Sequence, residues 1–217
     1  TDNCGEVTIE VASETILGNA AGNYTVVRTF TATDDAGNSS QAQQTITVED
    51  TTAPELVIHE DYTIECSQGL VLEAPEAEDN CGSVSIATEI QTIPGNAAGN
   101  YTVVRTFTAT DDAGNSAVAT QTINVVDTTA PELVIPDDYT SECSEGLVLE
   151  APQAEDNCGS ASIATEVETI PGNAAGNYTV VRTFTATDDA GNSTVATQTI
   201  TLVDTTEPVL SIPEDSN

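Results

Sequence analysis

In the stretch NYTVVRTFTAT (177–187), alternate positions from Tyr178 through Val180, Arg182, Phe184 and Ala186 form one set, while Thr dominates the other. A period of two sends successive side chains to opposite faces of a strand, so one face packs and the other meets water. Further runs rich in Val, Ile and Thr read ELVI (132–135), YTSEC (139–143), GLVLEA (146–151), SASIATEVET (160–169) and TVATQTITLV (194–203). Gly, Pro, Asn or Asp punctuates each of them, and helix signals are nearly absent.

The pattern is written three times. NYTVVRTFTATDDAGNS begins at Asn23, Asn100 and Asn177, DNCG at Asp2, Asp79 and Asp156, and DTT at Asp50, Asp127 and Asp204, each 77 residues after the last. That period exceeds the roughly 20 to 50 residues of solenoid units and falls in the range of a small independent domain. The expected organisation is the back part of one unit (1–50), two whole units (51–127 and 128–204) and the start of another (205–217). Six or seven short strands per unit predict an all-β chain of tandem Ig-like antiparallel β-sandwich domains, arranged as an extended rod. Export signals and anchors are expected outside this segment.

Charge excludes several partners. Thirty-six acidic residues against three basic ones give a formal charge of -33, which leaves no cationic surface for nucleic acid or for direct contact with an anionic membrane. Disorder does not follow, because apolar residues are 38% of the chain and sit in alternating runs. The basic residues are Arg28, Arg105 and Arg182, one per repeat, in register with the packed face of the long strand. Each is expected to form a structural salt bridge with a nearby Asp or Glu. His59 is replaced by Pro136 one period later and is read as incidental.

The segments EAEDNCGSVSI (76–86), IPGNAAGNYTVVRTFTATDDAGNS (93–116) and QTINVVDTTAPEL (121–133) resemble the hyalin repeat (HYR) module. They look especially like the HYR-like repeats of very long surface proteins in gliding, type IX-secreting bacteria. The resemblance covers every period and implies Ig-like or fibronectin-like folds serving as stalks or adhesive arms at the cell surface, not as enzymes. Related repeats often carry Cys in the loop that here reads DDAGN, where Ala36, Ala113 and Ala190 stand, so any disulfide through that position is lost.

Five cysteines admit two pairings. Cys66 with Cys81 and Cys143 with Cys158 leave Cys4 alone, whereas Cys4 with Cys66 and Cys81 with Cys143 leave Cys158 alone. The first is favoured, since short loops within one domain close at lower entropic cost. Each such bridge is worth about 3 kcal/mol on the chain-entropy model. Paired Cys with no His to complete a zinc site point to an oxidising, extracellular setting.

If the two long C-terminal strands of a unit form a hairpin, DDAGN is its turn, at the pole where the chain enters the domain. The linker DTTAP and the loop EDNCG reach the same pole. Asp50, Glu78, Asp79, Asp111, Asp112 and Asn115 are therefore expected to converge, and Asp127, Glu155, Asp156, Asp188, Asp189 and Asn192 one period on. Convergent carboxylate and amide oxygens suit Ca2+, which takes six to eight such ligands in irregular geometry. The competing reading is that these residues fill turns because turns prefer them, and no contiguous calcium-loop motif is present.

The expected function is a structural stalk or filament segment of an exported cell-surface adhesin, stiffened by disulfides and by Ca2+ at the junctions. Its partners are the neighbouring repeats, with a surface ligand bound by regions outside this segment. Alternatively, each repeat is a carbohydrate- or protein-binding module acting by avidity, a reading weakened by an aromatic content of only 4%. Catalysis is not expected, because adjacent loop carboxylates such as Asp111 and Asp112 have no companion nucleophile. NYT at Asn23, Asn100 and Asn177 also matches an N-glycosylation sequon.

Overall fold

The structure is a computed structural model and describes residues 5–211; Cys4 lies outside the described residues. Fifteen strands and no helix are present among them. The first repeat contributes β1 (Val7–Leu17), β2 (Tyr24–Asp34) and β3 (Ser39–Val48), paired in that order. Repeat 51–127 contributes β4 (Glu55–Val57), β5 (Tyr62–Glu65), β6 (Glu76–Glu78), β7 (Val84–Pro94), β8 (Tyr101–Asp111) and β9 (Ser116–Val126). Repeat 128–204 contributes β10 (Glu132–Val134), β11 (Tyr139–Glu142), β12 (Gln153–Glu155), β13 (Ala161–Pro171), β14 (Tyr178–Asp188) and β15 (Ser193–Val203). In each complete repeat a two-stranded sheet accompanies a four-stranded one, β4-β6 with β5-β9-β8-β7 and β10-β12 with β11-β15-β14-β13.

The strands gather into two compact units. One takes residues up to Tyr62 with Val71–Thr92 and Val103–Ile123; the other takes Thr63–Leu70, Ile93–Thr102 and the chain from Asn124 onward. The boundary crosses repeat 51–127, so one unit unites the first repeat with most of the second and the other unites the rest of the second with the third.

The alternation of β14 is the reason the sandwich closes. Val180, Arg182, Phe184, Ala186 and Asp188 are buried and the residues between them are not, while Gln198, Ile200 and Leu202 of β15 complete the inward row. Tyr139 and Tyr178 pack against Val180, Ile200 and Leu202. A fully buried Phe such as Phe184 contributes on the order of 3 kcal/mol by removing its ring from water. In the other unit Phe107, Ala109 and Ile123 hold the equivalent places.

Three expectations need correction. GLVLEA (146–151) is not a strand: the Tyr139 hydroxyl donates to the Val148 carbonyl and accepts from the Val148 amide, and the Glu150 carbonyl accepts from Arg182. Side chains thus take the backbone groups that a ladder would have used, and the second strand of the small sheet is Gln153–Glu155 instead. The large sheet is also not wholly antiparallel, because β11 runs parallel to β15, Tyr139 facing Ile200.

The third concerns the arginines. Among the described residues the only ion pair is His59 Nδ1 to Glu73 at 2.9 Å; Arg28, Arg105 and Arg182 have none. Cross-strand register sets Arg182 opposite Gln198, which accepts its Nη1 at 2.9 Å, and the guanidinium lies 4.7 Å from the Phe184 ring centroid. Arg105 repeats this with Gln121 at 2.9 Å and Phe107 at 4.7 Å, and Arg28 with Gln44 and Phe30. A neutral amide and an aromatic face carry the charge inside the sheet packing; Asp188, in the same row six residues on, spends its carboxylate on its own turn.

Candidate metal centre

The turn DDAGN is built around its first Asp. Asp188 Oδ1 accepts the amides of Gly191 at 2.6 Å and Asn192 at 2.8 Å, and Oδ2 accepts Asn192 Nδ2 at 2.9 Å. Gly191, at φ +96, supplies the left-handed residue that closes the turn. Burial acts to raise the Asp188 pKa, but these donors outweigh it and hold the carboxyl below its ordinary value. Asn192 Nδ2 also donates to the Asp127 carbonyl at 3.3 Å, tying the hairpin to the linker. Asp111, Gly114 and Asn115 make the same turn, with Asn115 Nδ2 reaching the Asp50 carbonyl at 3.2 Å.

The linker Asp is held from the other side. Its amide donates to Asn100 Oδ1 at 2.7 Å, and its Oδ1 accepts the Thr129 amide at 3.2 Å. Asp156, in the loop after β12, accepts the Cys158 amide through Oδ2 at 2.8 Å. The result brings carboxylate oxygens of Asp127, Asp156 and Asp188 within 4.8 Å of one another, and those of Asp50, Asp79 and Asp111 likewise. Asp50, Asp111, Asp127 and Asp188 are buried. Oδ2 of Asp50 and Oδ1 of both Asp79 and Asp156 are buried atoms with no hydrogen-bond partner. Burial first, then the charges of Asp156, Asp188 and Glu65, push the Asp127 carboxyl above its ordinary value, against the Thr129 amide.

The remaining acidic positions lie elsewhere. Glu78 and Glu155 sit exposed on β6 and β12. Asp112 accepts the amide and hydroxyl of Ser83, each at 3.0 Å, and Asp189 does the same for Ser160, so both clamp loops rather than face the triads. Asn115 and Asn192 use their amide nitrogens as donors and position the Asp residues beside them. An orphaned, buried carboxylate oxygen facing two more carboxylates is a costly arrangement unless a cation or proton neutralises it. The donor set, all hard oxygen, fits Ca2+.

The cysteines require a correction. Cys66 bonds Cys158, 92 residues away, with Cα atoms 6.1 Å apart; Cys81 and Cys143 are free among the described residues. Neither anticipated pairing occurs. Cys66 follows β5, whose parallel neighbour runs on into the linker, and its amide donates to the Val126 carbonyl. This places it beside the loop of the following repeat, not the loop of its own. The bond joins repeat 51–127 to repeat 128–204, and Gly99, at φ +80, packs against it, with Cys158 Cβ 2.9 Å from where a side chain would begin.

Two recurrent supports escaped the sequence reading. Asn23, Asn100 and Asn177 each accept the amide of the linker Asp that follows 27 residues later. Glu65 and Glu142 accept the amide and hydroxyl of Thr128 and Thr205, the hydroxyls at 2.6 Å. These bonds hold both carboxyls below their ordinary values, the Thr hydroxyl contributing most. The dipeptide EC at 65–66 and 142–143 was the available signal.

A family model described as an HYR-like domain with 4 cysteines matches residues 54–125 and 131–202. The chain belongs to the HYR-like domain family. Its HYR-like repeats are similar to hyalin of Lytechinus variegatus, 32% identical over 206 residues covering 86% of this chain and 38% of that protein. They are also similar to hyalin of Strongylocentrotus purpuratus, 34% identical over 244 residues covering all of this chain and 19% of that protein. The chain thus spans well under half of either relative. Both are sea urchin proteins, not the bacterial surface proteins to which the motifs pointed. Among solved structures, Drosophila N-cadherin EC1-4 overlaps at a TM-score of 0.32 and 13% identity, covering 94% of this chain and 68% of that one. Human CDH23 EC21-23 overlaps at 0.33 and 18%, covering 81% and 73%.

Proposed function

We propose that this HYR-like chain is a structural segment of an extracellular adhesion protein, in which Ca2+ holds each repeat to the next and a disulfide joins repeat 51–127 to repeat 128–204. The observation that carries this reading is the composition of the triads. Each combines one Asp from the linker with two from the repeat that follows it, half-buried to buried, within 4.8 Å, and with buried oxygens left unpartnered. Asp50, Asp79 and Asp111 would hold one ion and Asp127, Asp156 and Asp188 another. The ion supplies positive charge where the chain, at -33 overall, repels itself most closely. The repeats then act as a stiff, acidic spacer of an exported surface adhesin, without catalytic chemistry of their own.

The second reading, a ligand-binding module, has one feature in its favour. An open cleft of about 370 Å³ is lined by Pro136, Asp137, Tyr139, Val148, Glu150 and Gln198. Its aromatic, Tyr139, already spends its hydroxyl on Val148, and repeat 51–127 replaces Pro136 by His59, paired to Glu73. A cleft whose lining changes between repeats suits a spacer better than an avidity array.

The test is a calorimetric Ca2+ titration of the chain with and without Asp79→Asn and Asp156→Asn. Two ions per chain, one lost with each substitution, is the expected result. No heat of binding at millimolar Ca2+ would overturn the cation reading, and specific binding of one glycan by the isolated chain would favour the second.

A further inference from the structure

Asp127 belongs to two clusters at once. It shares the triad with Asp156 and Asp188, and it also lies within the set Glu65, Cys66, Asp127 and Cys158, whose ligand atoms again fall within 4.8 Å of one another. The disulfide touches both ends of the triad through the backbone. Cys66 donates its amide to Val126, the residue before Asp127, and its neighbour Glu65 grips Thr128, the residue after. Cys158 donates its own amide to Asp156 Oδ2 at 2.8 Å. We infer that the Cys66–Cys158 bond sets the spacing of Asp127 and Asp156, so the redox state of this disulfide regulates cation affinity at the second triad. The inference rests on the cation reading proposed above.

The chain contains a reference site. In the first triad Cys81 donates to Asp79 Oδ2 at 2.8 Å, as Cys158 does to Asp156, and Asn23 holds Asp50 as Asn100 holds Asp127. Cys81, however, is free among the described residues, so reduction has no bond to break at the first triad. Reduction by a dithiol breaks the Sγ–Sγ bond and delivers two electrons and two protons to Cys66 and Cys158, while the dithiol closes to its own cyclic disulfide. The Asp156 loop then loses its covalent tie to the β5–linker crossing. Linkage is reciprocal: whatever factor reduction removes from cation affinity, bound cation must add to the resistance of the disulfide to reduction.

The experiment titrates the oxidised chain, the dithiol-reduced chain and Cys66→Ser/Cys158→Ser with Ca2+, using Asp79→Asn and Asp156→Asn to assign the two binding steps. Reduction is expected to weaken the second-triad step about tenfold, within the roughly 5- to 150-fold span of site-to-site couplings, and to leave the first unchanged. In the reciprocal arm, disulfide occupancy is read by mass after equilibration in a dithiol/disulfide buffer. Saturating Ca2+ is expected to shift the midpoint by the same tenfold, about 30 mV for two electrons. This arm starts from the native bond and is repeated on Asp156→Asn, because a reduced chain that unfolds would couple to Ca2+ through folding alone; a shift that persists undiminished in Asp156→Asn overturns the inference. Two Ca2+ steps unmoved by reduction, with a midpoint indifferent to Ca2+, overturn the inference and leave the cation reading standing. Absence of Ca2+ binding to the oxidised chain overturns both.

Discussion

Replacing Cys66 and Cys158 together by Ala tests the longest-range feature of the fold. The crosslink spans 92 residues, and on the chain-entropy model a loop of that size costs the unfolded chain about 15.6 cal/mol/K, or about 4.6 kcal/mol at 25 °C, against about 3 kcal/mol for a fifteen-residue loop. The packing lost is small by comparison, since both cysteines are only half-buried. The assay is urea unfolding of the oxidised parent and the double variant, both in EDTA, because a bound cation would add its own stabilisation. Linear extrapolation should then separate the two by about 3 to 5 kcal/mol, with the parent showing the smaller denaturant slope expected of a more compact unfolded chain. A difference below about 1 kcal/mol would refute the reasoning. So would recovery of a Cys66–Cys81 peptide from a digest made without reductant, which would return the bond to a single repeat.

Four further outcomes follow from the geometry. Phe184→Ala, at a fully buried ring, should cost about 3 to 5 kcal/mol in thermal or urea unfolding. Gln198→Leu should cost about 1 to 3 kcal/mol by removing one of the two acceptors of Arg182 Nη1, the Glu150 carbonyl remaining, and adding Arg182→Met should restore part of that loss in the same assay. In EDTA the melting temperature should first rise as pH falls from neutral toward the ordinary Asp value of 3.8, because Asp127 is raised and takes up its proton more readily folded than unfolded. At still lower pH it should fall, as Asp111, Asp188, Glu65 and Glu142, all lowered, lose the ionised form that folding favours; Asp127→Asn should abolish the initial rise. Amide exchange at residues 127–129 should stay slow in EDTA, since their donors are bonded to protein groups.

Much of the fold was legible because alternation is a local property. The buried row of β14 contains the residues that the pattern singled out, and the turn DDAGN lies where the hairpin reading put it. GLVLEA failed because side chains outside it intervene: its apolar letters suit a strand, yet Tyr139, nine residues before Val148, and Arg182, 32 residues after Glu150, capture its carbonyls. The arginine partners failed because Asp and Glu are abundant and Gln looks inert, while cross-strand register alone chose Gln198. The acidic convergence was coarse in the same way. Composition marks six oxygen-bearing residues per joint, but only backbone direction separates Asp79, which faces the triad, from Asp112, which closes on Ser83.

The cysteine pairing shows where entropy alone misleads. Loop-closure cost favours the nearest partner only when the chain is otherwise free, and here it is not. The parallel pairing that follows β5 carries Cys66 to the Val126 carbonyl, while Glu65 fastens to Thr128 and Asn100 to Asp127. Those contacts present Cys66 to the loop of the next repeat at little further entropic cost, whatever the separation along the chain. The same contacts account for three of the linker amides: Asp127 to Asn100, Thr128 to Glu65 and Thr129 to the Asp127 side chain, while Pro131 has no amide hydrogen to satisfy. A linker whose first three amides are met by side chains of repeat 51–127, and whose Asp127 carbonyl is met by Asn192 of the next, has few backbone states left to lose. A cation held at Asp127 would therefore act on a strap that protein contacts have already ordered, and its effect would fall on how firmly Asp156 and Asp188 are drawn to that strap.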